Sequence, residues 1–399
     1  MKKKRLLALL LSAAIFLSLP LPTAAAARQT ALQREIAQFN YVIGTNAFAP
    51  RYQFTQNDPL LEMADAVIAW GSNMIKFNAR NDTELVDRIL EGRDFAYVFM
   101  WFRSSGAFRD GYSEAEARAD YDAFYAFTQK LLRTYNGTGK QFFLGHWEGD
   151  WYYLDDKSQE TVSDTVTEGM IAWMNNRQKA VDDAKRDTPH EDVEVWNYLE
   201  LNRPVDAMKK GYDRVVNRVL PHTNVDYVSY SAYDSKGGSA KMIRKTIDYI
   251  ADNLPEKNDV PEPRVFIGEI AVPASQFNYN DRRHCSANLR ILARYLQCDV
   301  RFCLYWEIYC NETLPDGRQN GFWLIDADGN ETQLYQKLRT VFADGKAYVE
   351  AFAQKNGRTP TDAEYRAFLL RHPVFVKARL AGFFEDIWLR LRELAEQTM

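Results

Sequence analysis

The sequence predicts an α/β (β/α)8 barrel with extra helices at its C-terminal end, on three observations. Short apolar runs rich in Val, Ile, Phe and Tyr alternate with longer stretches at helical spacing, and eight such pairs fit within residues 40–343. No Gly-rich phosphate loop follows the first run, where Gly44-Thr45-Asn46 stands, which disfavours an open doubly wound sheet. Carboxylates, amides and aromatics gather just beyond the apolar runs, the place where a barrel collects its strand ends. No Pro/Ser/Gly linker and no internal repeat divides the region. The reading is therefore an export signal over 1–27, a barrel over 28–345 and a helical extension over 346–399.

The signal is read from Lys2-Lys3-Lys4-Arg5, the apolar run Leu6–Leu19, its break at Pro20–Pro22, and the small residues Ala24–Ala27. A retained anchor is the other reading, but the run falls short of the ~20 residues a span needs. Loss of the four basic residues takes the net charge from −4 to −8. That argues against nucleic acid or an anionic membrane as the main partner. The hydrophobic content of 46% suits a large core, and the aromatic content of 14% suits stacking on sugars as well as packing.

The strands are expected at Tyr41–Asn46, Asn73–Asn78, Phe95–Trp101, Gln141–Glu148, Val193–Leu201, Val225–Ser231, Arg264–Ile270 and Arg301–Ile308. The helices between them are expected at Pro59–Ala69, Thr83–Glu91, Ser113–Tyr135, Thr161–Arg186, Val205–Val219, Ala240–Leu254, Asn280–Leu296 and Gln333–Phe342. Thr83 reads as a cap, and Ser113 with Glu116 as a capping box. Beyond Gly345, helices are expected at Ala347–Lys355 and Thr361–Gln397. Thr361 and Glu364 form a second capping box, and Pro373 is a break. The apolar stretch from Val374 to Leu394 reads as a helical appendage on the barrel wall, with a membrane-surface or partner-binding helix as the alternative.

The chemistry centres on Gln141–Tyr153, QFFLGHWEGDWYY. An apolar strand opens there into Glu148 and Asp150, between Trp147 and Trp151. Charged groups are costly to bury, so their presence calls for a partner or a function. Glu269 stands alone inside the apolar run RVFIGEI and carries the same argument. Other strand ends supply Lys76, Asn197, Glu200, Asn202, Tyr230, Tyr233, Trp306 and Glu307. In a barrel of eight, strands four and seven face each other across the mouth. Two carboxyl groups about 5–5.5 Å apart serve retaining glycoside hydrolysis, and about 6.5–9.5 Å serves inversion.

This pattern resembles clan A of the retaining glycoside hydrolases over roughly residues 40–343. Those barrels carry an acid/base Glu at the end of strand four, a nucleophile Glu at the end of strand seven, and an aromatic residue on strand eight. Glu148, Glu269 and Trp306 match those positions. The run Gly321–Asn330 (GFWLIDADGN) looks like the segment these enzymes show before their last helix. The clan's strand-six residue beside the nucleophile would be Tyr230, or else Tyr233. One departure stands out: the clan places Asn before the acid/base, where this chain has Trp147. The contact to the sugar 2-hydroxyl then falls to Asn197 or Asn202, and Asp150 is the substitute acid. The resemblance implies a glycosidase acting on a carbohydrate; the N-terminal signal makes it a secreted one, and a monomer without cofactor or metal is expected. A non-catalytic carbohydrate-binding barrel is the second reading.

The four cysteines, Cys285, Cys298, Cys303 and Cys310, lie close together in sequence without a CxxC pair or a histidine cluster, which argues against zinc. The barrel places Cys285 and Cys310 near the active face, so a bridge between them is expected on oxidation. No HExxH, GxSxG or P-loop pattern occurs.

Overall fold

Eight parallel strands pair in sequence order and close into a barrel: β1 (Ile43–Ala47), β2 (Met74–Asn78), β3 (Tyr97–Trp101), β4 (Gln141–Gly145), β5 (Glu194–Leu201), β6 (Tyr227–Ser231), β7 (Val265–Ile270) and β8 (Cys303–Tyr305). The computed structural model describes residues 24–80 and 82–397, and for 24–28 and 388–397 the backbone alone. The expected signal lies outside these up to residue 23; helix α1 (Ala24–Ala37) follows. Closure pairs Ile43 with Cys303 and Thr45 with Tyr305.

Period-2 alternation fills the interior in layers. Phe99, Phe143, Phe266 and Phe302 pack in mutual ring contact, centroids 4.5–6.2 Å apart, and seal the barrel. Two residues further along, the same faces carry Trp101 on β3, Gly145 on β4 and Gly268 on β7. Lys76 on β2, Glu200 on β5 and Ser229 on β6 complete this upper, ionic layer. The aromatic plug thus forms a dry floor beneath a charged mouth.

Outside the strands run α2 (Pro59–Trp70), α3 (Thr83–Leu90), α4 (Glu114–Thr134), the short α5 (Gly149–Tyr153), α6 (Asp164–Asp187), α7 (Pro204–Lys210), α8 (Ala240–Asp252), α9 (Asp281–Leu296) and α10 (Gln333–Asn356). Both expected capping boxes form, at Ser113/Glu116 and Thr361/Glu364. Asp82, rather than Thr83, caps α3.

Two helix expectations fail for physical reasons. The helix expected over 205–219 stops at Gly211, at φ 71°, and resumes only as a single irregular turn at Val215–Val219. Between them the Val215 N–H is captured by Asp150, and buried Arg214 turns its guanidinium toward Asp206. Gly345 does not end a helix either, and α10 runs through it. A Cβ at Gly345 would lie 2.5 Å from the Tyr365 hydroxyl, so this glycine admits α11 (Asp362–Arg371) closely.

Pro373 does break the C-terminal stretch and begins α12 (Pro373–Gln397). Glu385 and Asp386 pin α12 to Arg290, Arg294 and the Ala240 N–H. Its opposite face leaves Leu380, Phe383, Phe384 and Ile387 exposed. Among the described residues no helix is long and apolar enough to cross a membrane. The expected Cys285–Cys310 bridge is not formed, and all four cysteines are free and buried. The Cys310 thiol is held by its own loop instead, accepting from Gly321 N–H and donating to Glu312 O, each at 3.3 Å.

Candidate active site

The mouth of the barrel brings Glu148, Glu200 and Glu269 around one ammonium group. Lys76 Nζ lies 2.5 Å from Glu200 Oε2 and 3.4 Å from Glu269 Oε1, and its side chain is fully buried. Glu200 also accepts from the Ser229 hydroxyl at 2.6 Å and the Glu148 N–H at 3.1 Å. The Ser231 hydroxyl lies against both candidate catalytic carboxylates, donating to Glu148 Oε1 and reaching Glu269 Oε2 at 3.4 Å. One oxygen in contact with both keeps the facing carboxylate oxygens within about 6 Å of each other.

Glu269 owes its position to a bulge. Tyr230 pairs with Ile267 but Ser231 with Glu269, and Ile267 pairs with Cys303 but Ile270 with Tyr305. Both neighbours thus count one extra residue on β7. Strict alternation would send Glu269 outward, behind inward Phe266 and Gly268; the bulge re-aims it into the mouth. Gly268 is needed because a Cβ there would stand 1.9 Å from Ser229 Oγ and 3.0 Å from Glu200 Oε2.

Burial governs the electrostatics. Desolvation pushes Glu148 up to about 7, against the opposing hydrogen bond from Ser231, while the Glu200 charge adds to the rise. Glu269 is raised well above the carboxylate range by desolvation; Lys76 opposes this and the Glu200 and Glu148 charges reinforce it. Burial and the facing carboxylates thus favour the protonated forms of Glu148 and Glu269, against the pull of Lys76. Buried His146 is held down at about 3 by desolvation, and its Nε2 accepts the Glu200 N–H at 3.3 Å.

The other predicted residues divide. Trp306 stacks on Phe48, centroids 5.2 Å apart, and lies 6.4 Å from Trp101. Trp147 is 37% exposed and meets the edge of Trp101 at 6.5 Å. The Trp151 indole hydrogen-bonds Glu148, and its ring carries Lys157 and Arg203 at 5.0 and 5.6 Å, so it positions the acid rather than offering a free platform. Tyr233 is close enough to Glu269 and Glu148 for their charges to raise its hydroxyl, though burial raises it more. Asn202 has its side-chain oxygen buried and unpartnered among the described residues.

Four predictions go elsewhere. Asp150 accepts the N–H groups of Asn202, Arg203 and Val215 at 2.9–3.0 Å, so it ties loops together and is fully buried. Asn197 alternates with Tyr198 and Glu200 and faces away from the barrel interior. Tyr230 likewise alternates with Ser229 and Ser231, and its hydroxyl donates to Asp234 and accepts from Ser235. Glu307 accepts the N–H groups of Phe48 and Asn311, at 3.2 and 3.1 Å, fixing the loops after β1 and β8.

Three site residues escaped the sequence reading. Ser229 and Ser231 occupy alternate positions of YVSYS, a signal that strand parity alone would have found. Trp101 ends β3 with its indole N–H buried and unpartnered among the described residues, beneath Lys76 at 5.1 Å. No cluster of three or more His, Cys, Asp or Glu side chains suited to a metal occurs among the described residues.

The closed barrel of eight parallel strands is a fold that solved glycoside hydrolases share. Among solved structures, the chain is similar to a family 39 glycoside hydrolase from the gut symbiont Bacteroides cellulosilyticus WH2, at 12% identity and a TM-score of 0.51. The match covers 77% of this chain and 64% of that one, so the chain spans less than two thirds of that protein's length. A monomeric beta-xylosidase from Caulobacter crescentus CB15 matches at 11% identity and TM-score 0.49, over 76% of this chain and 68% of that one. A family 5 xyloglucanase from Paenibacillus pabuli matches at 14% identity and TM-score 0.47, over 78% and 99%. No protein-family model and no curated protein sequence matches the chain.

Proposed function

We propose that the chain is an exported glycoside hydrolase working with retention of anomeric configuration. The observation that supports this is Ser231, whose hydroxyl touches Glu148 and Glu269 together, as a closely spaced nucleophile and acid/base would require. Glu269 attacks the anomeric carbon as the glycosidic C–O bond breaks, and Glu148 gives its proton to the leaving oxygen. Glu148 then takes a proton from water as that water displaces Glu269 from the sugar. A carboxyl held at about 7 suits both halves of that exchange. Lys76 is the cation that favours the ionised form of Glu269. Trp101, Trp147 and Trp306 supply apolar walls, and Asn202 an amide for a sugar hydroxyl. The reaction as written needs no cofactor and no second copy. The basic and then apolar N-terminus supports export.

The test is turnover of a panel of aryl glycosides, with the product anomer followed by NMR. Retention is expected, and inversion would overturn the roles given to Glu269 and water. Glu269→Gln should abolish turnover while sugar binding persists. Two observations favour a carbohydrate-binding barrel without catalysis: Trp147 stands where the clan has its Asn, and Asn197 faces away. On that reading no aryl glycoside is cleaved, and Glu269→Gln leaves the protein's behaviour unchanged.

A further inference from the structure

A second cavity, of about 410 Å³, opens among the loops that follow β7 and β8, within the size range of ligand sites. Half-buried Tyr279 and Trp323 form its aromatic wall, ring centroids 6.2 Å apart and planes inclined by 38°. The wall is fixed in place. The Tyr279 hydroxyl donates to Gln319 O at 2.8 Å, and the Arg318 guanidinium lies 5.4 Å from the Tyr279 ring. Gln319 lines the same cavity, and its side-chain oxygen is buried with no partner among the described residues. The rim is equally preorganised: Asp326 accepts the N–H groups of Asp328 and Asn330 at 3.0 and 2.8 Å. Phe322 and Trp323 are neighbours in sequence, but Phe322 packs on Tyr233 beside the catalytic carboxylates, whereas Trp323 packs on Tyr279. The one loop thus sends one aromatic ring toward the mouth and the next to the cavity.

We infer that this cavity is a second saccharide-binding site, which holds a neutral sugar of the chain whose cleavage is proposed above. Its choice of ligand rests on that carbohydrate reading. Flat aromatic faces take the C–H face of a pyranose, and an unsatisfied amide oxygen takes a hydroxyl. Acidic residues outnumber Arg318 around the lining, which excludes an anionic sugar. Their carboxylates do not gather into a metal-binding group among the described residues.

The test is calorimetric binding of long cello-, xylo- and manno-oligosaccharides to the full chain carrying Glu269→Gln, which prevents turnover. The same titration is made with Trp323→Ala or Tyr279→Ala added. At least one oligosaccharide should bind, and each added substitution should weaken it by about tenfold, the loss of one stacked ring. In the otherwise unaltered chain, neither substitution should change kcat/KM on a small aryl glycoside. Hydrogen exchange on the Glu269→Gln chain, without further substitution, should show protection of residues 318–331 by the bound oligosaccharide, a readout that needs no folded cavity variant. Aryl glycoside turnover with oligosaccharide affinity indifferent to both substitutions would overturn the site and leave the hydrolase reading standing. Affinity lost on substitution without turnover of any glycoside would keep the site and overturn the hydrolase reading. No binding of any oligosaccharide, or protection confined to the catalytic mouth, would overturn the site.

Discussion

Glu148→Gln should remove a block of pH-dependent instability as well as the acid/base. Glu148 is 8% exposed, and desolvation moves it from its ordinary 4.5 to about 7. A raised carboxyl pKa means that the folded chain holds the proton more tightly than the unfolded chain does. Stability is then greatest in acid and falls as pH climbs from about 4.5 through about 7. At about 1.4 kcal/mol per pKa unit, ionising the buried group costs the fold about 3 kcal/mol. Between about pH 5 and pH 8, the wild-type chain should lose about 2 to 3 kcal/mol that the Gln variant keeps. Urea unfolding of both chains at the two pH values measures this as a double difference, in which other titrating groups cancel to first order. A double difference near zero would show that Glu148 titrates in the ordinary range, and would refute both the desolvation argument and the choice of Glu148 as the acid. The pH–rate profile should agree, with its basic limb near 7 in the wild-type chain.

The remaining predictions concern the groups around it. Lys76→Met should leave Glu200 buried and unpaired, at about 3–5 kcal/mol in unfolding experiments, and should move the acid limb of kcat/KM to higher pH as Glu269 loses its cation. Ser231→Ala removes a bond that lowers the Glu148 pKa, so the basic limb should shift upward; an unmoved limb would separate Ser231 from the acid. Asp150→Asn replaces one acceptor oxygen with an amino group facing a backbone N–H. It should lower stability by about 1–3 kcal/mol while leaving turnover intact well below the unfolding temperature. Loss of turnover in a folded Asp150→Asn chain would restore Asp150 as the acid.

The barrel was legible because its signal is repeated: eight apolar runs, each followed by helical spacing, leave few ways to close a sheet. Long helices with capping boxes were legible for the same local reason. The segment after β5 was not, because its partners are distant: Asp150 captures the Val215 N–H, and the segment's own Arg214 reaches back to the Gln159 carbonyl, so no local pattern marks the break. Cys285 and Cys310 show the limit of placing residues by end of barrel: nearness to one face does not set a bond when a loop already holds one thiol.

The site divides along the same line. Glu148 and Glu269 were singled out by cost, since a charge inside an apolar strand needs a reason, and the structure brings both to the barrel mouth. Tyr230 and Asn197 were misjudged because only residue type and strand end were weighed. Parity would have rejected both, and on β6 it would have chosen Ser229 and Ser231. Parity applied without the structure would also have rejected Glu269, since Phe266 and Gly268 already take the inward positions of β7. The bulge at Gly268 turns Glu269 inward all the same, and it shows in the structure as a register shift against β6 and β8. The glycine makes room for the Lys76–Glu200–Ser229 cluster, and the extra residue turns the next side chain toward Ser231. The sequence signal for the bulge is the pair Gly268-Glu269 itself: a residue without a side chain where a neighbour's ions must pass, followed by a charge that has no place on an outward apolar face.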